Sequence, residues 1–452
     1  MLQARAGGSA VNSDARLRRR LLAALFAWAS AWACASTTAC SSKSELATDP
    51  SCTVATHCKF LPAGTSEDDI QSAIATAHGG DTLKFGAGTF AFKNEITLAA
   101  DDLTLLGAGI DQTILDFAHQ AAGSEAVFAQ QVKNLRLEGF TIRDPKGNGI
   151  KVLGATGLAI RSIKTLWTSD DSSSHGAYGL YPVQSSNVLV EKCVATGASD
   201  TGVYVGQSQH VIVRDNEAYQ NVAGIEIENS FFVDVYRNDS HDNAGGILVF
   251  DLPNLQQLGG HDIRVHDNKI HDNNTPNFAP KGNIVGLVPA GTGFFVMANS
   301  NVEVFANAFV NNQTAQSSVI SYFITQDPIT DAKYYAYPRA VYLHDNTYAG
   351  GGTRPDLRNQ LGLLLVTGQS KFPNGVVPDV IYDGITDPAK TTPPENPMQI
   401  CIKQPGVAIA NLHLDKVDAK NPDLSKTVVV DSAPYDCALP AVDPVVLPGV
   451  AP

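Results

Sequence analysis

The phrase "AGIEIENS" (Ala223 to Ser230) puts two carboxylates, Glu226 and Glu228, on alternate residues of an apolar run. In a strand, alternate side chains share one face and stand about 6.6 Å apart by rise. Like charges so placed repel, and packing gains little from them. Such a pair suits a cation site or an acid/base couple, with a solvated face as the plain alternative. Where this phrase has Glu226, earlier copies of it have Tyr204 and Tyr181. Aromatic rings beside carboxylates and amides make a surface that binds sugars, through ring stacking and hydrogen bonds to hydroxyls. Stacked tyrosines covering a sheet would explain the rings without any ligand.

A second group of reactive residues lies in "LWTSDDSSSHGAYG" (166–179), which carries Trp167, Asp170, His175 and Tyr178, and Asp200 follows in a turn just before Gly202. Hydrolysis of a glycoside needs one protonated and one ionised carboxyl group. The catalytic candidates are therefore Asp170, Asp200 and Glu226, with His175 or Tyr178 as a base if the reaction is elimination or epimerisation of a uronate. Those two reactions also need a cation to neutralise the sugar carboxylate, and Lys151 is the basic residue at this edge. The candidate substrate-binding set is Trp167, Tyr178, Tyr181, Tyr204, Gln207 and Asn229. Glu226, Glu228 and Asp251 are the candidate ligands of a calcium ion, which would bridge an acidic floor to an acidic polymer.

These residues have to be held by a repeating scaffold. A glycine, apolar, any, apolar phrase starts at Gly149, Gly202, Gly224, Gly246 and Gly293, with a variant at Gly179, and the step from Gly202 to Gly224 is 22 residues. A second period-2 phrase follows most copies, as at Val188, Val211, Val233, Ile263 and Val302. Both read as short strands. Asn216, Asn238, Asn268, Asn307 and Asn346 form one column after the second phrase, and Asn221, Asn243, Asn273 and Asn312 form another. Asparagine accepts left-handed turn geometry, and its amide can bond to its copies above and below. Units of this length bury their apolar faces only against their neighbours, so they stack as a solenoid. Several strands per coil with no helical period predict an all-β, right-handed parallel β-helix over 65–350. The His-Asp-Asn triplets at His241, His266, His271 and His344 each end in a column asparagine, so stacked turns account for them without a metal.

On these phrases the chain resembles the β-helix family that includes polysaccharide lyases, mannuronan epimerases and exported proteins of no known activity. It lacks a "DPHD"-type epimerase motif. The flanks "ICIKQPGVAIANLHL" (Ile400 to Leu414) and "YDCALPAV" (Tyr435 to Val442) resemble a bacterial β-helix lipoprotein family of unknown function. That likeness implies export and, as a partner, a second exported protein.

Insertions set the shape of the working face. Two coils carry long loops on the same edge, around 168–176 and 274–290, and a third insertion, after Gly246, lies on the opposite edge. Three uninterrupted glycine phrases lie between the two same-edge loops. With coils about 4.8 Å apart, the loops are expected to wall a groove whose floor holds Tyr181, Tyr204 and Glu226.

Residues 1–39 read as an export signal: Arg16, Arg18, Arg19 and Arg20 precede an apolar run from Leu21 to Ala35. "STTACSS" then places Cys40 as a lipidation site, so the expected address is the cell envelope, with membrane contact only through that anchor. Residues 40–64 read as a tether, and a short helix beginning near Ser66 is expected to plug the first coil. The segment 351–452 reads as a Pro-rich cap and tail. Cys52 with Cys58, and Cys401 with Cys437, are the favoured disulfides, since each pairing stays within one cap. Cys193 remains alone in the asparagine column, as a buried thiol rather than a nucleophile. The formal charge is −13, and without residues 1–39 the chain keeps 27 basic and 44 acidic residues, a formal charge of −17. That balance excludes nucleic acid as a partner. The sequence thus predicts an exported β-helix protein that binds a polysaccharide in its groove, with lyase, epimerase or hydrolase chemistry within reach of its residues. The alternative from a different class is a non-catalytic scaffold for an exported partner.

Overall fold

The computed structural model describes residues 48–170 and 172–448. The export signal at 1–39, Cys40 and most of the expected tether lie outside the described residues.

Each regular coil contributes three strands, as in Thr201–Gly206, Gln209–Arg214 and Glu217–Tyr219, and each pairs in parallel with its copy one coil on. The glycine-phrase strands build one 12-stranded sheet, and the other two sets merge into a second sheet of 20 strands. Inward positions such as Val203, Val205, Ile225, Ile227, Ile247 and Val249 are fully buried and form one continuous core. Parallel pairing of near-identical phrases puts each side chain over its own copy, so the repeat fixes the register.

The asparagine columns are continuous ladders. Asn238 accepts from the backbone N–H and the side-chain amide of Asn216 at 3.0 and 2.9 Å, and its own amide donates to Val213 O and Asn268 Oδ1 at 3.0 and 2.9 Å. Asn221, Asn243, Asn273 and Asn312 do the same in the second turn. The left-handed residue of each turn is the one before the asparagine, as at Asp215, Arg237 and Asp267. The asparagine itself is spent on bridging coils, which corrects the expectation that it supplies the turn's backbone geometry. Cys193 heads the first ladder, where its N–H donates to Asn216 Oδ1 at 2.9 Å. Burial pushes its thiol up to about 12, so it stays protonated. The triplet histidines stack on aromatic rings one coil away, as in Tyr219, His241 and His271, with ring centroids 5.3 and 5.1 Å apart.

The ends differ from the expected boundaries. Cys58–Leu61 already pairs with Thr82–Phe85, so the stack begins inside the expected tether. Helix α1 (Glu67–Ala75) is capped by Ser66, whose hydroxyl accepts from Asp69 N at 3.1 Å, and it buries Ile70 and Ile74 in the core at that end. At the other end Val380–Tyr382, Ile400–Lys403 and Ile409–Asn411 add further parallel rungs. The cap is therefore partly solenoid. It was hidden because long connections carrying helix α2 (Gln360–Thr367) and a proline run separate those strands from the last glycine phrase. Cys52 is bonded to Cys58 and Cys401 to Cys437. Beyond Cys437 the extended tail crosses the second sheet, and the N–H groups of Val442 and Val445 donate to Glu303 and Asp234 at 3.0 and 3.1 Å. No helix among the described residues is long and apolar enough to cross a membrane.

Candidate functional site

The outward face of the 12-stranded sheet carries the expected column, with Tyr204 paired to Glu226, Leu248, Phe295 and Ser318 in successive coils. It is not an open groove. Tyr204 is 5% exposed, Glu226 1% and Leu248 0%. The 274–290 loop folds over the floor instead of standing beside it: Val285, Val288 and Ala290 join Leu248, Phe250, Phe295 and Tyr322 in a second hydrophobic cluster. The apolar residues at the middle of the column require such a cover, because exposing them would forfeit about 25 cal/mol per Å². Tyr334 completes the cover, donating its hydroxyl to Asp251 O.

What remains at the uncovered end is a cluster of tyrosines and carboxyls. Tyr178, Tyr181 and Tyr204 have ring centroids 4.5 to 5.0 Å apart, and Tyr178 and Tyr181 are partly exposed. Behind them lie Asp200, Glu226 and Glu228. Thr201 Oγ1 is 3.0 Å from Asp200 Oδ1 and 2.7 Å from Glu226 Oε2, so one hydroxyl joins the two carboxyl groups. A hydroxyl carries one proton, and both contacts are hydrogen bonds only if one of the carboxyls is itself protonated. Burial and the charges of Asp200 and Glu228 hold Glu226 well above the usual carboxylate range, which makes it the protonated partner. Asp200 is pushed up to about 6 by burial, against the opposing bonds from Thr201 and from Asn283 Nδ2 at 2.9 Å.

Tyr204 donates its hydroxyl to Glu228 Oε1 at 2.6 Å. Gly206, paired with Glu228 across the ladder, makes this possible, since a Cβ there would lie 2.5 Å from the Tyr204 ring. Glu228 is nonetheless raised to about 7, chiefly by burial. Asp251 is raised likewise to about 7, with its Oδ1 accepting from Gly260 N at 2.8 Å. Burial, with Asp200, Glu226 and Glu228 nearby, also pushes the Tyr178 phenol far above its ordinary value.

Several expected site residues serve the fold instead. Gln207 Oε1 accepts from Gln256 N, and Asn229 exchanges hydrogen bonds with Leu252, so both hold the 251–260 insertion rather than a substrate. Trp167 stacks on His175 at 5.7 Å and donates to Pro145 O, while His175 contacts Gly197 O and Ser169 Oγ with its two ring nitrogens. Both therefore pin the 168–176 loop. Asp170 is exposed on that loop, and the neighbouring Asp171 lies outside the described residues. Among the described residues no group of three or more acidic, histidine or cysteine side chains is arranged to hold a metal ion. One oxygen each of Glu226, Glu228 and Asp251 bonds Thr201, Tyr204 and Gly260, while Glu226 Oε1 and Asp251 Oδ2 are buried without a hydrogen-bond partner.

Sequence reasoning missed Thr201, Gly206 and Asn283. Thr201 left a signal, since the next two coils carry Ala223 and Gly245 at its position. Asn283 left none, because loop folding alone brings it over Asp200.

Comparison with known proteins agrees with this architecture. The model of the right-handed β-helix region matches residues 104–255 and 173–324. The pre-neck appendage protein of Bacillus phage phi29 is 27% identical over 217 residues, which is 40% of this chain and 25% of the phage protein. The chain thus spans about a quarter of that relative's length. Among solved structures, the A-module of an Azotobacter vinelandii mannuronan C-5 epimerase superposes with a TM-score of 0.46 at 16% identity, over 70% of this chain and 86% of that one. The N-terminal fragment of phi29 gene product 12 gives 0.45 at 13%, over 70% and 54%. With its three-stranded coils, its two ladders and the matched region, the chain is a right-handed parallel β-helix protein.

Proposed function

We propose that this is an exported glycan-binding β-helix protein with glycan-modifying chemistry, working at the tyrosine end of the 12-stranded sheet. In this reading Tyr178 and Tyr181 stack on a sugar ring, Asp200 is the carboxylate that meets the substrate, and Glu226 is a protonated reserve behind it. The supporting observation is the single Thr201 hydroxyl that joins Asp200 to Glu226. It gives one neutral and one ionised carboxyl group side by side, with Asp200 poised at about 6. The pair supplies the two protonation states that hydrolysis of a glycoside needs. Elimination is less well served: the nearby cation, Lys151, already faces Glu125 at 3.4 Å and the Tyr181 ring at 5.2 Å.

The scaffold reading draws on a different observation, the internal use of Tyr204, Gln207 and Asn229 and the cover over Glu226. A glycan-array screen of the purified chain, with and without calcium, separates the two. The enzyme reading expects a bound glycan whose affinity falls by about 1 to 3 kcal/mol in Tyr181→Ala, the scale of one aromatic platform. Binding of no glycan, or wild-type affinity in that variant, leaves the scaffold.

A further inference from the structure

Outside the tyrosine cluster lies a half-open cavity of about 650 Å³ that none of the expected site residues lines. Its walls come from four separate departures from the coil: 252–254, 277–288, 322–327 and 356–359. Such a volume falls within the roughly 300 to 1,000 Å³ of clefts that enclose small ligands.

The segments are tied to one another, so the cavity is a built feature. Asn359 caps helix α2 through Leu361 N at 2.9 Å, and its amide donates to Leu287 O at 2.8 Å. Asp356 accepts from Ala290 N at 3.1 Å with one carboxylate oxygen and from Arg358 Nε at 2.8 Å with the other. The Arg358 guanidinium is thereby oriented while both of its terminal nitrogens stay available, and the side chain is 62% exposed. Asn283 lies in the wall with its amide nitrogen on Asp200, which leaves its carbonyl oxygen to accept from a ligand.

The lining is apolar on one side, at Leu252, Ile284, Leu287 and Val288, and polar on the other. Its charges balance: Lys281 and Arg358 against Asp327 and Asp356. Both donors and acceptors, beside an apolar wall and without net charge, match a ring with apolar faces and a rim of hydroxyls.

We infer that this cavity is a second glycan subsite, taking a neutral saccharide of about two rings. Asn283, which lines it, also bonds Asp200 and so joins this cavity to the acid pair. The inference rests on the glycan reading given above and adds a site and a charge class to it.

The test is calorimetric titration of the whole chain with cellobiose, maltose, lactose and chitobiose, and with digalacturonic acid and its dimethyl ester. The variants are Arg358→Ala, which removes an exposed side chain, Leu287→Trp, which fills the cavity, and Tyr181→Ala. A neutral disaccharide is expected to bind wild type and to lose at least tenfold in affinity in both Arg358→Ala and Leu287→Trp. The dimethyl ester should bind more tightly than the free acid. Unchanged affinity in those two variants, with loss in Tyr181→Ala, overturns the second subsite and leaves the glycan function standing. Preference for the free acid overturns the neutral class. Binding of none of the saccharides overturns the inference and counts against the glycan function with it.

Discussion

Asn283 donates its amide to Asp200 at 2.9 Å across 83 residues of sequence, and this contact latches the 274–290 loop onto the acid pair. Hydrogen bonds to charged groups contribute about 1.5 to 3 kcal/mol. Asn283→Ala should therefore loosen that loop and leave the coils intact. Limited proteolysis is expected to cut within 274–290 at least tenfold faster than in wild type, with an unchanged β-type circular dichroism spectrum. Equal cutting rates would show that the apolar contacts of Val285 and Val288 hold the loop unaided.

The buried carboxyls set a pH dependence of stability. Asp200 is raised to about 6 and Glu228 and Asp251 to about 7, all above their ordinary values. Between about pH 4 and pH 7 the unfolded chain has released these protons and the folded chain still holds them, so the unfolded state gains as pH rises. Stability is fully present below about pH 4 for these groups and declines until about pH 7, by on the order of 3 kcal/mol for Asp200 alone. Thermal melts from pH 4 to 8 should show that decline. Glu226→Gln, which spares the fold the cost of keeping that buried carboxyl protonated, should raise the melting temperature at pH 7. A melting temperature that climbs from pH 4 to 7 would mean that these groups are ionised in the fold.

Asn238 meets four partners in two neighbouring coils. Truncation to alanine strands the N–H and amide of Asn216 and the carbonyl of Val213 in a buried turn, a loss of about 2 to 4 kcal/mol. Urea denaturation should register it as a lower midpoint. Exposed Asn421→Ala should change the midpoint by no more than about 0.5 kcal/mol. Equal effects of the two substitutions would remove the ladder from the account of stability.

The bridge between Cys401 and Cys437, 36 residues apart in sequence, anchors the tail before it reaches Glu303 and Asp234. Replacing both cysteines by serine should cost about 2 to 4 kcal/mol. Amide exchange at Val442 and Val445 should rise together, since one anchor serves both contacts. Retained protection there would mean that the carboxylates alone hold the tail.

Much of this was legible in the sequence because a repeat is self-reporting. Copies of Gly-Val-Tyr-Val and Gly-Ile-Glu-Ile dictate register, inward faces and the outward column, and the asparagine spacing dictates the ladders. The outward face was misjudged for a physical reason. Leu248, Phe295 and Met297 already announced a buried strip, yet which loop would bury it depended on the fold of 274–290 and of the 322–337 segment, neither of which repeats. The same local folding turned Gln207 and Asn229 from expected sugar contacts into struts for the 251–260 insertion. It also placed Asn283 on Asp200 without a trace in the spacing.

The central claim is that Asp200 and Glu226, joined by the Thr201 hydroxyl, act as an acid/base pair on a glycan. Turnover of a panel of polysaccharides by the wild-type chain and by folded Glu226→Gln, followed as release of reducing ends, tests it most directly. Wild type should cleave at least one member, and the glutamine variant should melt at a higher temperature at pH 7 while its turnover falls by at least a hundredfold, about 2.7 kcal/mol of lost barrier reduction. Equal turnover in the two proteins, or none from wild type on any glycan it binds, would contradict the claim.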